Sequence, residues 1–492
     1  MLSRRNVLKT GVLTTGVVGA AGLASPVLGR RDAEAAEPAG GAGPEAIGAP
    51  AVIPQFAVPL TVPPVLSPLL SSGTTDYYLM TMKKLSKEVV PGKRTELLGY
   101  NGLVPGPTIR ARKGRRVVIR QTNLLDTPVS VHLHGAEVPV DSDGAPMDTI
   151  APGGSKVYTY PNNQPAAPLW IHDHAHHHES EHVYRGLSSV YLIGDDNEQS
   201  LGLPSGPYDV PLVIRDGRYD ENGQLVYIMD DFRNRTTITV NGSPWPYLRV
   251  AARKYRFRVL NSANTRFLSL RLSNGGTFTQ IGVDGGLLEA PHETAVLPVS
   301  PGERADVVID FSRYPVGTQL VLENTLGPGP VEQVGKVMRF DVVRTASDDS
   351  TVPARLATLP TPLPATVSRS FVLRMDEDGR AEPQAYINGR SFDQARIDVR
   401  IPWGSTEVWT VSNANTTAPH NFHLHLVQFR VLERNGQPPA PGEAGLKDTV
   451  RVLAGETVKL LISFRSYRGV YAYHCHMFDH GAMGMMGQME IY

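Results

Sequence analysis

A single cysteine, Cys475, stands in a chain of 492 residues. One thiol cannot close an internal disulfide, so it is either an inert buried group or a ligand or nucleophile. Charge of one sign is not in excess either. Lys plus Arg and Asp plus Glu count 48 each, which leaves no bulk field for nucleic acid or an anionic membrane surface. Helical periodicity is missing too: no long stretch carries a convincing helical period. A disulfide scaffold, a helical bundle and a charge-driven binder are thereby excluded, and partners must be read from local sites.

What is present is short-range alternation. The chain is too long for one core and suggests about three domains. RRVVIRQTN (115–123), YRFRVLNSA (255–263) and TEVWTVSNA (406–414) share one pattern, apolar and polar residues alternating up to an Asn, as half-buried strands do. Each follows an extended stretch containing Asn-Gly: GYNGLVPGPTIRARKG, TVNGSPWPYLRVAARK and YINGRSFDQARIDVRIPWG. A repeat of about 140 to 150 residues implies three β-sandwiches of similar topology. The expected boundaries are 72–203, 204–346 and 366–492, with a Pro- and Thr-rich linker at 347–365. Residues 36–71, rich in Ala, Pro and Gly, read as a flexible lead-in. Trp403 and Trp409 read as sandwich core.

The N-terminus reads as targeting rather than fold. Arg4 and Arg5 precede a weakly apolar, Gly-rich run over residues 11–29, a pattern that resembles the twin-arginine export signal of bacteria. The expected signal peptide is 1–35, and removing it leaves 43 basic against 46 acidic side chains. The resemblance implies export through the twin-arginine translocase, already folded, to the cell envelope, periplasm or exterior.

Ten of the 15 histidines fall into four tight groups. HLHG holds His132 and His134, WIHDH holds His172 and His174, HNFHLH holds His420, His423 and His425, and HCHMFDH holds His474, His476 and His480. On a strand, residues two apart face the same side, so each H-x-H projects two imidazoles into one cavity. Four such pairs offer eight imidazoles, enough for a cluster of three metals. Two pairs lie in the first repeat and two in the last, while the middle repeat has only His292. Metal therefore belongs to a contact between the outer domains, which the chain must close into a ring. Cys475 among His474, His476, His480 and Met485 adds a soft set of thiolate, imidazole and thioether, the kind that favours one-electron copper.

These four groups, in this order, resemble the multicopper oxidases from about Tyr77 to the C-terminus. The resemblance implies an all-β fold of three consecutive cupredoxin-like Greek-key sandwiches carrying four copper ions. By position it assigns Cys475, His420 and His480 to a type 1 copper with Met485 axial, and His132 and His423 to a type 2 copper. His134, His172 and His476 would hold one type 3 copper, and His174, His425 and His474 the other. On an extended segment Cys475 points one way and its two His neighbours the other, which gives the electron a covalent path from the thiolate. Asp143 matches a proton-relay acid of bacterial laccases and bilirubin oxidases. At Gly481, where many relatives carry Glu, a second acid is missing.

The implied activity is one-electron oxidation of phenolic, aminophenolic or bilirubin-like donors coupled to reduction of dioxygen to water. Its partners are dioxygen and a small aromatic or cuprous donor, with no nucleic acid, and a monomer is expected. A cuprous oxidase for copper tolerance is the alternative, although no long Met-rich insertion precedes the last domain. A cell-envelope scaffold is disfavoured, because scaffold relatives lack the ligands that are all present here. His176, His177, His178 and His182 are candidates for a surface copper-loading site, for a solvated loop or for a helical turn covering the cluster. Met477, Met483, Met486 and Met489 read as core packing around the Cys475 site, with admission of cuprous ions by their thioethers as the alternative.

Overall fold

The computed structural model describes residues 50–380 and 383–492; the expected signal peptide lies outside them. Three two-sheet sandwiches follow one another along the chain. In the first, one sheet orders Leu70–Ser72, Thr75–Lys87, Arg116–Asn123 and Ser155–Tyr160, with Thr95–Tyr100 also paired to Thr75–Lys87. Its facing sheet orders Gly106–Arg112, Ser188–Gly194, β2 (Ala167–Asp173) and β1 (Val131–His134). The second sandwich faces a seven-stranded sheet with a five-stranded one. In the third, two five-stranded sheets face each other, one of them containing β4 (Gly469–His474) beside β3 (His420–Leu424). Each sandwich has its own apolar cluster: Ile119, Leu133 and Tyr158 in the first, Phe257, Phe311 and Phe340 in the second, Phe371, Trp409 and Phe422 in the third.

The repeated sequence segments become repeated structure. Arg116–Asn123, Lys254–Asn261 and Thr406–Asn413 each pair in parallel with an earlier strand of their own sandwich. The closing asparagines do the same work three times. Asn123, Asn261 and Asn413 are buried, and each donates its amide to two backbone carbonyls while accepting from the N–H two residues on. Three satisfied bonds turn the chain at the strand's end without stranding a polar group in the core.

The Asn-Gly turns are equally uniform. Asn101, Asn241 and Asn388 have φ of 53°, 50° and 53°, and the glycine after each is also at positive φ. Asn tolerates this region better than other residues with a Cβ. Each Asn also exchanges two bonds with one residue of the parallel partner strand, Thr81, Val213 or Val372.

Two expectations are corrected. Residues 50–71 are not a loose lead-in: Leu60 is buried in the second core, and Phe56, Leu60 and Leu66 donate backbone bonds to Trp245, Tyr247 and Thr108. Apolar residues spaced among the prolines supply the packing that composition alone concealed. Within the linker, Leu356 is buried against Leu203, Ile281, Leu287 and Val308. Trp403 is 44% exposed, beyond the short strand Val399–Ile401 with the Arg468 guanidinium 5.3 Å from its ring. Trp403 stands in the turn that follows this strand, outside both sheets, whereas Trp409 lies within a strand and is fully buried.

Candidate metal centre

Strand alternation sorts the side chains. In the third sandwich β3 and β4 run antiparallel with His423 opposite His474, and in the first β1 and β2 place His132 opposite His172. Each H-x-H pair faces one space: ring centroids are 5.8 Å apart for His132 and His134, 5.7 Å for His172 and His174, 5.0 Å for His423 and His425, and 5.4 Å for His474 and His476. The pairs then meet across the sandwiches. His132 stacks on His425 at 3.8 Å, His134 on His423 at 3.8 Å, and His172 lies 5.2 Å from His476. All eight imidazoles converge on one buried space between the outer sandwiches.

Their hydrogen bonds aim them inward. Nδ1 of His132, His172, His423 and His474 donates to the backbone oxygen of Asp143, Asp173, Asp448 and Cys475, and Nδ1 of His425 donates to Asp143 Oδ2 at 2.8 Å. A donor at Nδ1 leaves the Nε2 lone pair free, the arrangement metal-ligating histidines use. His134 is reversed, donating Nε2 to Asp448 Oδ1 at 2.8 Å. The free nitrogens of His132, His134, His172 and His423, and both of His476, are buried without a partner. Burial, reinforced in most by neighbouring imidazoles, depresses the pKa of each, to about 3 for His132, His425 and His474. Neutral, unpaired and convergent nitrogens suit a soft-to-borderline cation such as copper, and nothing else nearby satisfies them.

A second site lies on the other side of β3 and β4. Cys475 Sγ is 3.8 Å from Nδ1 of both His420 and His480, and those two nitrogens are 3.0 Å apart. His420 donates Nε2 to Asn415 Oδ1 at 2.9 Å, which frees Nδ1 for this triangle. Met485 is fully buried in the same core, and its carbonyl accepts from Cys475 N at 3.0 Å. Burial pushes the Cys475 thiol up to about 12, so a thiolate here requires a cation beside it. Potential metal-holding groups among the described residues include His420 with Cys475 and His480, His174 with His425 and His474, His132 with His134 and His172, and His132 with His423 and His425.

Asp143 is no simple turn residue. It is fully buried, binds His132 through its carbonyl and His425 through Oδ2, and leaves Oδ1 unpaired. Burial raises its pKa to about 6. At the opposite edge, His480 Nε2 lies 4.0 Å from Oδ1 of Asp230, a carboxylate that retains 26% exposure. Asp230 sits at φ 58°, held there as its N–H donates to Asp479 Oδ2 at 2.9 Å. Sequence reasoning missed Asp230, Asn415 and Asp448, for none stands in a motif.

Of the extra histidines, His182 is buried, bonded to Asp173 Oδ2 at 2.8 Å and Thr127 Oγ1 at 2.9 Å. It belongs to α1 (Glu179–Arg185), which packs on α2 (Phe478–Ala482), the helix carrying His480. His177 is exposed, with His176 and His178 intermediate. Met477, Met483, Met486 and Met489 are all buried. A Cβ at Gly481 would meet only the Cys475 carbonyl, at an ordinary contact distance of 3.4 Å.

Three segments, residues 81–198, 212–326 and 362–492, match domain families described as multicopper oxidase. A laccase of Bacillus subtilis is 36% identical, over 89% of this chain and 98% of its own. A bilirubin oxidase of Albifimbria verrucaria is 38% identical, over 88% of this chain and 80% of its own. Among solved structures, a laccase from Pediococcus acidilactici superposes with a TM-score of 0.83 at 33% identity, covering 90% of this chain and 95% of that one.

Proposed function

The chain belongs to the multicopper oxidases and is an oxidoreductase, and from that premise we propose that it couples one-electron oxidation of phenolic or aminophenolic donors to the reduction of dioxygen to water. The reading takes four copper ions. A type 1 ion would be held by Cys475, His420 and His480 together with Met485, a type 2 ion by His132 and His423, and a type 3 pair by His134, His172 and His476 and by His174, His425 and His474. Bound there, copper supplies single-electron uptake at the thiolate site and the four-electron reduction of dioxygen at the cluster.

The chain's own residues do the rest. Cys475 faces one site while His474 and His476, its covalent neighbours, face the other, so the backbone is the shortest route between them. Burial excludes water from both. Asp143, joined to His425 and with Oδ1 free, is the group that takes up and delivers protons near the cluster. Asp230 beside the outer edge of His480 accepts the hydroxyl or amino proton of a donor as its electron leaves. Export through the twin-arginine translocase and a monomeric state belong to the same reading.

The convergence of His174 on His425 and His474, the last of them 300 residues away along the chain, carries it. The second reading, cuprous oxidation, draws support from Met229, which is 42% exposed next to Asp230 and offers a thioether. Anaerobic addition of a phenol, an aminophenol, bilirubin and Cu(I) to the blue protein separates them. Bleaching by the aromatics supports the first reading, and bleaching by Cu(I) alone overturns it in favour of the second.

A further inference from the structure

The middle sandwich contributes none of the proposed ligands, and His292 is its one histidine. Its turn over residues 300–304 nevertheless reaches both candidate sites. Arg304, 3% exposed, touches all three sandwiches at once. Nε donates to the Pro168 carbonyl of the first at 2.8 Å, Nη1 and Nη2 to Gly302 and Asp284 carbonyls of the second at 2.9 and 3.2 Å, and the same two nitrogens to the Asp448 carboxylate of the third. Asp448 passes this on, accepting His134 Nε2 on Oδ1 at 2.8 Å and His423 Nδ1 on its carbonyl at 2.8 Å.

Two further contacts come from the same turn. Gly302 lies against the His476 ring so closely that a Cβ would stand 2.7 Å from Nδ1 and 2.8 Å from Cγ, and its φ of +82° already favours glycine. Pro301 accepts from Asn421 Nδ2 at 2.6 Å, and Asn421 Oδ1 in turn accepts His476 N at 2.7 Å and Cys475 Sγ at 3.5 Å. Imidazole orientation at a metal is set by such outer partners.

We infer that residues 300–304 are the positioning element of the cluster, with Arg304 acting through Asp448 on His134 and His423, and Gly302 acting directly on the face of His476. The middle domain is therefore part of the metal machinery, because it orients three imidazoles that belong to its neighbours. A planar, forked guanidinium is required: a lysine ammonium carries the charge but cannot span Pro168, Gly302 and both Asp448 oxygens together. The inference rests on the copper reading above.

The test compares copper-loaded wild type with Arg304→Lys, Arg304→Met and Gly302→Ala. It reads copper per chain by mass spectrometry, the visible blue absorption of the thiolate site, and the electron paramagnetic resonance of the cluster's type 2 ion. Folding is checked by far-ultraviolet circular dichroism, and Arg304→Lys guards against Arg304→Met failing to fold. The expected result is blue absorption within about twofold of wild type, with cluster copper bound some 10- to 100-fold more weakly and an altered type 2 signal. Full copper with an unchanged signal in the folded variants overturns the inference. So does parallel loss of both sites, which marks a purely structural role. A wild type that never turns blue sinks the copper reading instead.

Discussion

His174 Nε2 lies 3.1 Å from His474 Nε2, although 300 residues separate them. Burial and neighbouring imidazoles hold both rings neutral, His474 with a pKa lowered to about 3 and His174 well below its ordinary value. His474 donates Nδ1 to the Cys475 carbonyl and so keeps a lone pair on Nε2, and a His174 tautomer protonated at Nδ1 turns a second lone pair toward it, a pairing that a shared cation satisfies. His174→Ala should therefore lower oxygen consumption by at least about 100-fold while the blue absorption and its anaerobic bleaching by donor persist. Unchanged oxygen uptake in an oxygen electrode would contradict the shared site.

The thiol supplies a pH test. With its pKa pushed up to about 12, Cys475 is protonated in the metal-free protein at neutral pH and must lose that proton to bind copper. The imidazoles are already neutral and release none. Copper affinity at this site should rise about tenfold per pH unit below that pKa, with one proton released. Calorimetry in buffers of different ionisation enthalpy counts the proton, and a pH-independent affinity would be inconsistent with the ligand set.

Asp143→Asn keeps the shape and a hydrogen-bonding group beside His425 but removes the ability to carry a proton. Reoxidation of the reduced protein by dioxygen should slow by about 100-fold, with reduction of the thiolate site by donor much less affected. Stopped-flow measurement of the two half-reactions separates them. Equal slowing of both argues against a proton-carrying role.

Met485→Leu retains volume in a fully buried position and deletes a weak axial donor. Blue colour should remain and the reduction potential should rise. A redox titration giving an unchanged or lower potential would remove Met485 from the ligand set.

Much of this was legible because identical local chemistry recurs. Asn123, Asn261 and Asn413 close three strands with the same three bonds, and Asn101, Asn241 and Asn388 take the same left-handed turn, so a repeat in letters was a repeat in structure. The four H-x-H pairs were legible for a similar reason: period-two alternation forces paired imidazoles onto one face. What the letters concealed is contact between distant segments. Arg304 and Asp448 stand in ordinary strand or turn sequence and Asn421 sits unremarked inside HNFHLH, and their roles exist only where sandwiches meet. Trp403 looked like core because its size says so, and the end of the sheet decided otherwise. Leu60 sits among prolines that suggested slack, yet a single apolar anchor suffices to pin an extended chain.

The central claim is that one sulfur joins two metal sites built from the outer sandwiches. Native mass spectrometry with paramagnetic resonance on copper-loaded wild type and Cys475→Ser tests it most directly. The account predicts four coppers with a blue signal in the first, and three coppers, no blue signal and an intact cluster in the second. Equal copper content and identical spectra in the two proteins would contradict it.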